Sequence, residues 1–198
     1  MANILDTSGT KPPRKKIEPA RIEFRRLAES CQRGAFSCGY VHIDDFLNNR
    51  SLDDHEALFS RTVTAHLDGQ AEPVGFYAMT IGAEPADQFV QEEEQSWFAS
   101  LKTRLLRSQL TTVQLIWVGV ETKFHRKGIG TLLMGHALDD FYQVVERTGV
   151  SALTLHPIST NAAIFYSSIG FQPYGTGSTK RMLLPADAVM ETRRKAAP

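Results

Sequence analysis

Ile22 and Phe24 alternate with Arg21, Glu23 and Arg25, the period of two that marks a half-buried strand. The stretch from His42 to Leu47 predicts a helix start, with Asp44 and Asp45 as capping residues ahead of Phe46 and Leu47. Arg61 to Leu67 is rich in β-branched residues, and Asp68-Gly69 follows as a turn signal. Val74 to Ile81 reads as the partner strand, which makes a hairpin whose loop runs to Pro73. Pro85 is expected to break that strand and open an irregular insertion over 85–112. Inside it, Trp97, Phe98, Leu101, Leu105 and Leu106 recur at spacings of three and four, the pattern of a helix. Glu92, Glu93 and Glu94 at its start and Lys102, Arg104 and Arg107 near its end suit the helix dipole.

From Val113 the pattern turns to alternating strands and helices. Val113, Leu115, Ile116, Trp117, Val118 and Val120 form a nearly continuous apolar run, read as a strand buried on both faces. A glycine-rich turn follows, then a helix from Thr131 to about Arg147 with Leu133, Ala137, Phe141 and Val144 on one stripe, ended by Gly149. Ala152 to Leu155 is a short buried strand, and Asn161 to Ile169 is a helix closed by Gly170. Two strands near 171–174 and 180–184 complete the pattern of an α/β domain over 20–185. Residues 1–19, with Lys11, Pro12, Pro13, Arg14, Lys15, Lys16 and Pro19, read as a flexible basic arm. Residues 186–198, with Arg193, Arg194 and Lys195, read as a basic tail.

Composition narrows the classes. The chain has 198 residues, 42% of them hydrophobic, enough for one core and too many for extended disorder. Its 22 Lys and Arg balance 22 Asp and Glu, so no global field draws it to a polyanion, and any nucleic-acid contact needs a local basic patch. No stretch approaches the ~18 apolar residues of a membrane span, and no signal-peptide run opens the chain, so a cytoplasmic protein without a membrane partner is expected. Cys31 and Cys38 have no CxxC or Cys/His ligand spacing around them. They read as reduced thiols, with no metal site.

The segment that carries chemistry lies between the apolar strand and the next helix: His125-Arg126-Lys127-Gly128-Ile129-Gly130. Gly128 and Gly130 permit a sharp turn and close backbone approach, and the helix beginning at Thr131 aims free N–H groups into that turn. Such a turn suits a pyrophosphate, with Arg126 and Lys127 as added charge. The Walker pattern is absent, and the dinucleotide fingerprint would need a glycine where Leu133 stands. A second segment, Asn161-Ala162-Ala163-Ile164-Phe165-Tyr166 leading into Ile169-Gly170-Phe171, lies downstream. Together the two segments resemble the GNAT superfamily of acetyl-CoA-dependent N-acetyltransferases. That family has a Gln/Arg-x-x-Gly-x-Gly/Ala loop and a late Asn-x-x-Ala-x-x-Phe-Tyr helix followed by Gly-Phe. His125 departs from the pattern at the Gln/Arg position.

The resemblance implies a mixed, twisted central sheet of six or seven strands, splayed into a V and flanked by helices, with acetyl-CoA as co-substrate in the gap. It implies that the backbone of Val118, Gly119 and Val120 holds the pantetheine arm and thioester carbonyl. His125, Arg126, Lys127, Gly128, Ile129, Gly130 and Thr131 would hold the pyrophosphate. Asn161 would contact the cofactor, and Tyr166 would stand at the sulfur as the catalytic residue. Phe165 reads as core. Glu121 reads as an exposed strand-end residue and His156 as a core histidine, which leaves the general base unassigned.

Phe36-Ser37-Cys38-Gly39 followed by Asp44-Asp45-Phe46-Leu47 is similar to the opening of GNAT-type toxins of toxin–antitoxin modules. Thr62-Val63, Gly75-Phe76-Tyr77 and His156 extend the match. This narrower resemblance implies transfer of acetyl to the α-amino group of aminoacyl-tRNA, an antitoxin partner and a homodimer. A small-molecule or protein amine as acceptor, and a degenerate acyl-CoA-binding module, are the other readings. The strand before the loop, Trp117-Val118-Gly119-Val120, differs from the Arg-Leu-Ala-Val type usual in those toxins.

Overall fold

A computed structural model describes residues 16–85, 88, 109–175 and 181–196. Its elements are β1 (Ile22–Arg26), α1 (Val41–Asp45), a π-helical turn (Phe46–Arg50), α2 (Ser51–Glu56), β2 (Arg61–Leu67), β3 (Pro73–Pro85) and β4 (Gln109–Val120). They continue with α3 (Ile129–Thr148), β5 (Ala152–Leu155), α4 (Thr160–Ile169), β6 (Gln172–Tyr174), β7 (Arg181–Pro185) and α5 (Ala186–Ala196). The strands form one mixed sheet of seven in the order β1-β2-β3-β4-β5-β7-β6. Among the described strands only β4 and β5 run parallel, joined by the right kind of connection for that, a helical crossover through α3.

Hydrophobic burial divides the interior in two. The larger core packs the α3 stripe of Ile129, Leu133, Met134, Ala137 and Phe141 against Tyr77, Met79, Val113, Leu115 and Leu153 of the sheet. Tyr77 is fully buried there, and its hydroxyl donates to Asp140 Oδ2 at 2.6 Å, with His136 Nδ1 2.7 Å from the same oxygen. The smaller core joins Phe36, Cys38, Ile43, Phe46 and Leu47 to Phe76 and Ala78 of β3, with Trp117 packed against it. Phe46 stacks on Trp117 with centroids 5.2 Å apart.

Several expectations need correcting. Strands β3 and β4 pair out to Pro85 and Gln109, so Pro85 and residues 109–112 belong to strands and not to an insertion. Proline is tolerated at the last position of a strand, where its missing N–H costs no ladder bond. The helix read at Glu92 to Leu106 lies outside the described residues. Neither Asp44 nor Asp45 caps a helix; Tyr40 precedes α1. Asp44 instead accepts from the Cys38 amide at 2.7 Å and from the Ser37 hydroxyl at 3.0 Å, which folds the preceding loop onto the helix. The basic tail is a helix, α5, because Ala186 and Val189 form a buried stripe beneath the charges. Arg193 pairs with Asp139 and lies over the Tyr142 ring, 5.7 Å from its centroid. The arm is fixed at its inner end: Ile17 packs on the larger core, and Pro19–Arg21 is a 3-10 turn. Residues 1–15 lie outside the described residues.

The register between β3 and β4 shifts after Ala78, which pairs with Trp117 while Met79 pairs with Leu115. Ile116 is therefore an extra residue, a β-bulge. Before it, Val113 and Leu115 face the larger core; after it, Val118 and Val120 do. Trp117 and Gly119 face the smaller core. A β-carbon on Gly119 would stand 2.8 Å from Phe76 Cε1, 3.1 Å from Ile43 Cγ2 and 3.3 Å from Phe36 Cε1. Gly119→Ala is expected to overpack this core at a cost of about 1–3 kcal/mol. Differential scanning calorimetry should show Tm lowered by about 2–10 °C; an unchanged Tm would show that the three neighbours yield freely.

Candidate active site

The bulge is also where the sheet divides. β4 pairs with β5 only from Thr112 to Leu115, while its other edge stays paired with β3 up to Val120. The Glu121 amide donates back across to Val74 O at 2.9 Å. Since amides alternate in direction along a strand, those of Val118 and Val120 point the other way, into the gap beyond Leu115. Gly119 keeps its backbone toward β3. The gap thus presents one strand's N–H and C=O groups to whatever fills it, the requirement for holding an extended amide-containing arm.

The glycine-rich turn lies at the end of that gap. Gly128 is the residue preceding α3, with φ of +89°, and space is open where a side chain would project. Arg126, two residues earlier, is also left-handed, with φ of +60°. Helix geometry leaves the amides at the start of α3 without partners inside the helix, and they face out of the turn. A β-carbon on Gly130 would stand 3.9 Å from Phe165 Cζ and 4.0 Å from Val120 Cγ2, so strand, turn and α4 converge there. His125 turns back onto the end of β4. Its Nε2 donates to Val120 O at 2.7 Å and takes the carbonyl that the strand would otherwise offer to the gap. Lys127 lies with its ammonium 4.9 Å over the Phe124 ring, and Thr131 is exposed on the first turn of α3.

Helix α4 forms the far wall. Ser159 caps it by accepting from the Ala162 amide at 3.2 Å, so the capping role open to Asn161 is filled by another residue. Asn161 is exposed and its side chain bonds to no described residue. Phe165 packs against the larger core. The Tyr166 ring lies between Phe165 and Phe171, with centroids 5.4 and 5.7 Å away. Burial pushes its phenol up to about 12, so it holds its proton throughout the neutral range. Against a thiol of pKa about 8.5, full proton transfer from such a phenol is uphill by about three and a half powers of ten. A phenol that keeps its proton can donate a hydrogen bond to a developing thiolate.

At the fork itself, where Leu115 and Leu155 make the last β4–β5 pair, a cavity of about 640 Å³ opens. Gln114, Ile116, Trp117, His156, Glu84 and Arg181 line it. Glu84 is 2% exposed and ion-paired with Arg181, 97 residues away, and it accepts from Gln114 Nε2 at 3.2 Å. His156 is exposed in the cavity wall, not in the core. Partial desolvation against the cavity wall and then the Arg181 charge lower its pKa, which favours the neutral imidazole. Glu121 is also corrected: it is buried, and its carboxylate accepts from the Ser37 amide at 2.8 Å and the Thr122 hydroxyl at 3.0 Å. Burial raises both thiols, Cys38 to about 12, which disfavours the thiolate at neutral pH. Sequence reasoning missed Glu84 and Arg181. An acid inside the apolar end of β3 was the available signal, but nothing local points to its partner.

The acetyltransferase (GNAT) domain family matches residues 60–173, more than half of the chain. The chain belongs to the GNAT acetyltransferase family. This GNAT protein is 28% identical over 167 residues to a tRNA-acetylating toxin of Mycobacterium tuberculosis, covering 83% of this chain and 92% of the toxin. Its fold is shared with a mutant of KacT, at a TM-score of 0.76 and 14% identity over 87% of this chain and 99% of that one. AtaT complexed with acetyl-methionyl-tRNAfMet gives 0.75 at 15% identity, over 87% and 99%. AtaTR bound with acetyl-CoA gives 0.70 at 16%, over 88% and 99%. The GNAT chain is an acetyl-CoA-dependent N-acetyltransferase, and the free strand edge and helix start described above fit that co-substrate. Among the described residues, no helix is long and apolar enough to cross a membrane.

A Tyr166→Phe variant keeps the ring packing and removes the donor. It is expected to lower kcat by about 100-fold, while acetyl-CoA binding by calorimetry changes less than about threefold. A full retention of kcat would remove Tyr166 from the chemistry.

Proposed function

We propose that this acetyltransferase modifies the α-amino group of an aminoacyl-tRNA, in the manner of a toxin held in check by an antitoxin protein. The observation that carries the reading is the 28% identity to a tRNA-acetylating toxin, which runs through 83% of the chain without confinement to the cofactor segments. The chemistry of the fork supports it. At pH 7.5 about a third of an α-amine of pKa 7.7–8.0 is already neutral, against about one part in a thousand for a lysine of pKa 10.4. A lysine acceptor therefore needs a strong base. The two carboxylates near the gap are unsuited to that work, since Glu84 is held by Arg181 and Gln114 and Glu121 by Ser37 and Thr122. Neutral His156, in the cavity wall, suffices to take the proton of a weakly basic amine as the C–N bond forms.

In this reading, Val118 and Val120 hold the pantetheine through their backbone, and the Val120 amide faces the carbonyl oxygen that gains charge on attack. The amides from Gly128 to Thr131, with Arg126 and Lys127, hold the diphosphate. Asn161 contacts the pantetheine from α4, and Tyr166 donates to the departing sulfur. His125 acts at one remove, by occupying the Val120 carbonyl and leaving its amide as the group on offer.

Labelled acetyl-CoA incubated with aminoacyl-tRNA and, in parallel, with small amines and protein substrates decides the acceptor. Mass spectrometry should find N-acetyl-aminoacyl-tRNA, and the rate should rise with pH through about 8 and then level. Expression should arrest bacterial growth, and Tyr166→Phe should restore it. Label confined to small amines or to protein would reassign the acceptor and leave the acetyltransferase chemistry intact.

A further inference from the structure

A second cavity, of about 870 Å³, lies between the N-terminal segment and the turn that precedes α3. It is lined by Lys16, Ile17, Glu18, Arg21, Thr122, Lys123 and Lys127. The two sides are joined at the backbone, where the Ile17 amide donates to Lys127 O at 2.9 Å. That bond, and the packing of Ile17 on the larger core, bring Lys16 to the turn from more than a hundred positions earlier in the chain.

The charges of this cavity are unequal in availability. Arg21 is committed to Asp68, with Nε 3.1 Å from both carboxylate oxygens, and Glu18 lies within its field. Lys16, Lys123 and Lys127 form no ion pair with any described residue. Three ammonium groups outside any ion pair, facing one concavity whose lining carboxylate is Glu18, are the makings of an anion site, and Lys127 belongs to both this cavity and the turn.

Topology says which anion. The sheet order puts β5 on one side of β4 and β3, β2 and β1 on the other. The pantetheine gap opens on the β5 side, and the N-terminal segment reaches the turn from the β1 side. A molecule that runs from the gap across the amides of Gly128 to Thr131 therefore leaves the turn toward the lysines. In acetyl-CoA the part beyond the diphosphate is adenosine with a phosphate on its 3′ oxygen, one ribose away from the diphosphate.

We propose that the N-terminal segment completes the nucleotide end of the co-substrate site, with Lys16, Lys123 and Lys127 taking the 3′-phosphate of coenzyme A. The inference rests on acetyl-CoA as co-substrate and is independent of which amine is acetylated. It makes residues near 16 part of the cofactor site, although they lie well before the segment matched by the family.

Calorimetry with acetyl-CoA and with 3′-dephospho-acetyl-CoA tests it without any acceptor. The wild-type protein should bind the phosphorylated form about tenfold more tightly, an advantage that shrinks as salt rises from low ionic strength. The surface double variant Lys16→Ala, Lys123→Ala should weaken acetyl-CoA binding about five- to tenfold and move dephospho-acetyl-CoA less than twofold. Equal binding of both forms by the wild type overturns the inference alone, whereas binding of neither removes the acetyl-CoA reading itself. Equal weakening of both forms in the variant also overturns it. So does an unchanged cofactor ratio accompanied by weaker tRNA binding, which would assign the lysines to the acceptor's phosphates.

Discussion

One extra residue in one strand sets the terms for the rest of the molecule. Ile116 bulges between the β3 partners Ala78 and Met79, and hydrogen bonding between β4 and β5 stops at Leu115. A strand that lost its neighbour inside a folded domain would leave amides and carbonyls unpaired, at a cost comparable to several lost hydrogen bonds. Here one carbonyl of the free edge, that of Val120, is taken by His125. The amides of Val118 and Val120 remain on the open side. The same bulge reverses which residues face each core, so that Val118 and Val120 look toward α3 while Trp117 turns to the opposite face. The free strand edge and the cavity wall at Trp117 are thus two outcomes of a single change of register.

The smaller core explains why the Phe36–Leu47 segment matters without containing a catalytic group. Phe36, Cys38, Ile43, Phe46 and Leu47 all point into it, each large apolar side chain contributing about 1.5–3 kcal/mol of burial. Asp44 ties the loop to the helix, and Glu121 ties that loop to the end of β4 through the Ser37 amide. The result is a rigid backing for Trp117, which lines the cavity at the fork. A sequence pattern that resembles toxins in its opening residues is, in physical terms, a packing pattern that backs one wall of the cavity at the fork.

The readable parts of the chain were those whose signals are local. Gly128 and Gly130 before an amphipathic helix, and Asn161 to Tyr166 before Gly170, announce backbone conformations that a short window specifies. What failed depended on distant partners. Glu121 follows a strand and looks like a surface acid, yet the Ser37 amide buries it from 84 positions away. His156 looked like core because it follows four buried residues, but the β5 pairing ends at Leu155 and leaves it in a cavity wall. Asp44 and Asp45 have the composition of caps, but the helix had already begun at Val41. The C-terminal segment reads as a tail because Arg193, Arg194 and Lys195 dominate its composition, whereas its helix packs through Ala186 and Val189. The run from Val113 to Val120 looked uniformly apolar because the bulge exchanges faces midway, which a pattern of period two cannot register.

The charge balance takes its meaning from the same distinction. Equal totals of 22 describe no site, because charges of opposite use cancel in the sum. Several arginines are spent on structure, Arg21 with Asp68, Arg181 with Glu84 and Arg193 with Asp139, each joining segments far apart in sequence. Around the glycine turn the cations are mainly lysines outside such pairs, on long flexible stems beside unpartnered amides. Paired arginines hold geometry, while unpaired lysines keep a field available to a ligand. A neutral chain can therefore bind a polyanionic cofactor strongly if its acids are placed against the first group and kept away from the second. Glu18 is the exception within the cavity, and it lies within the field of Arg21.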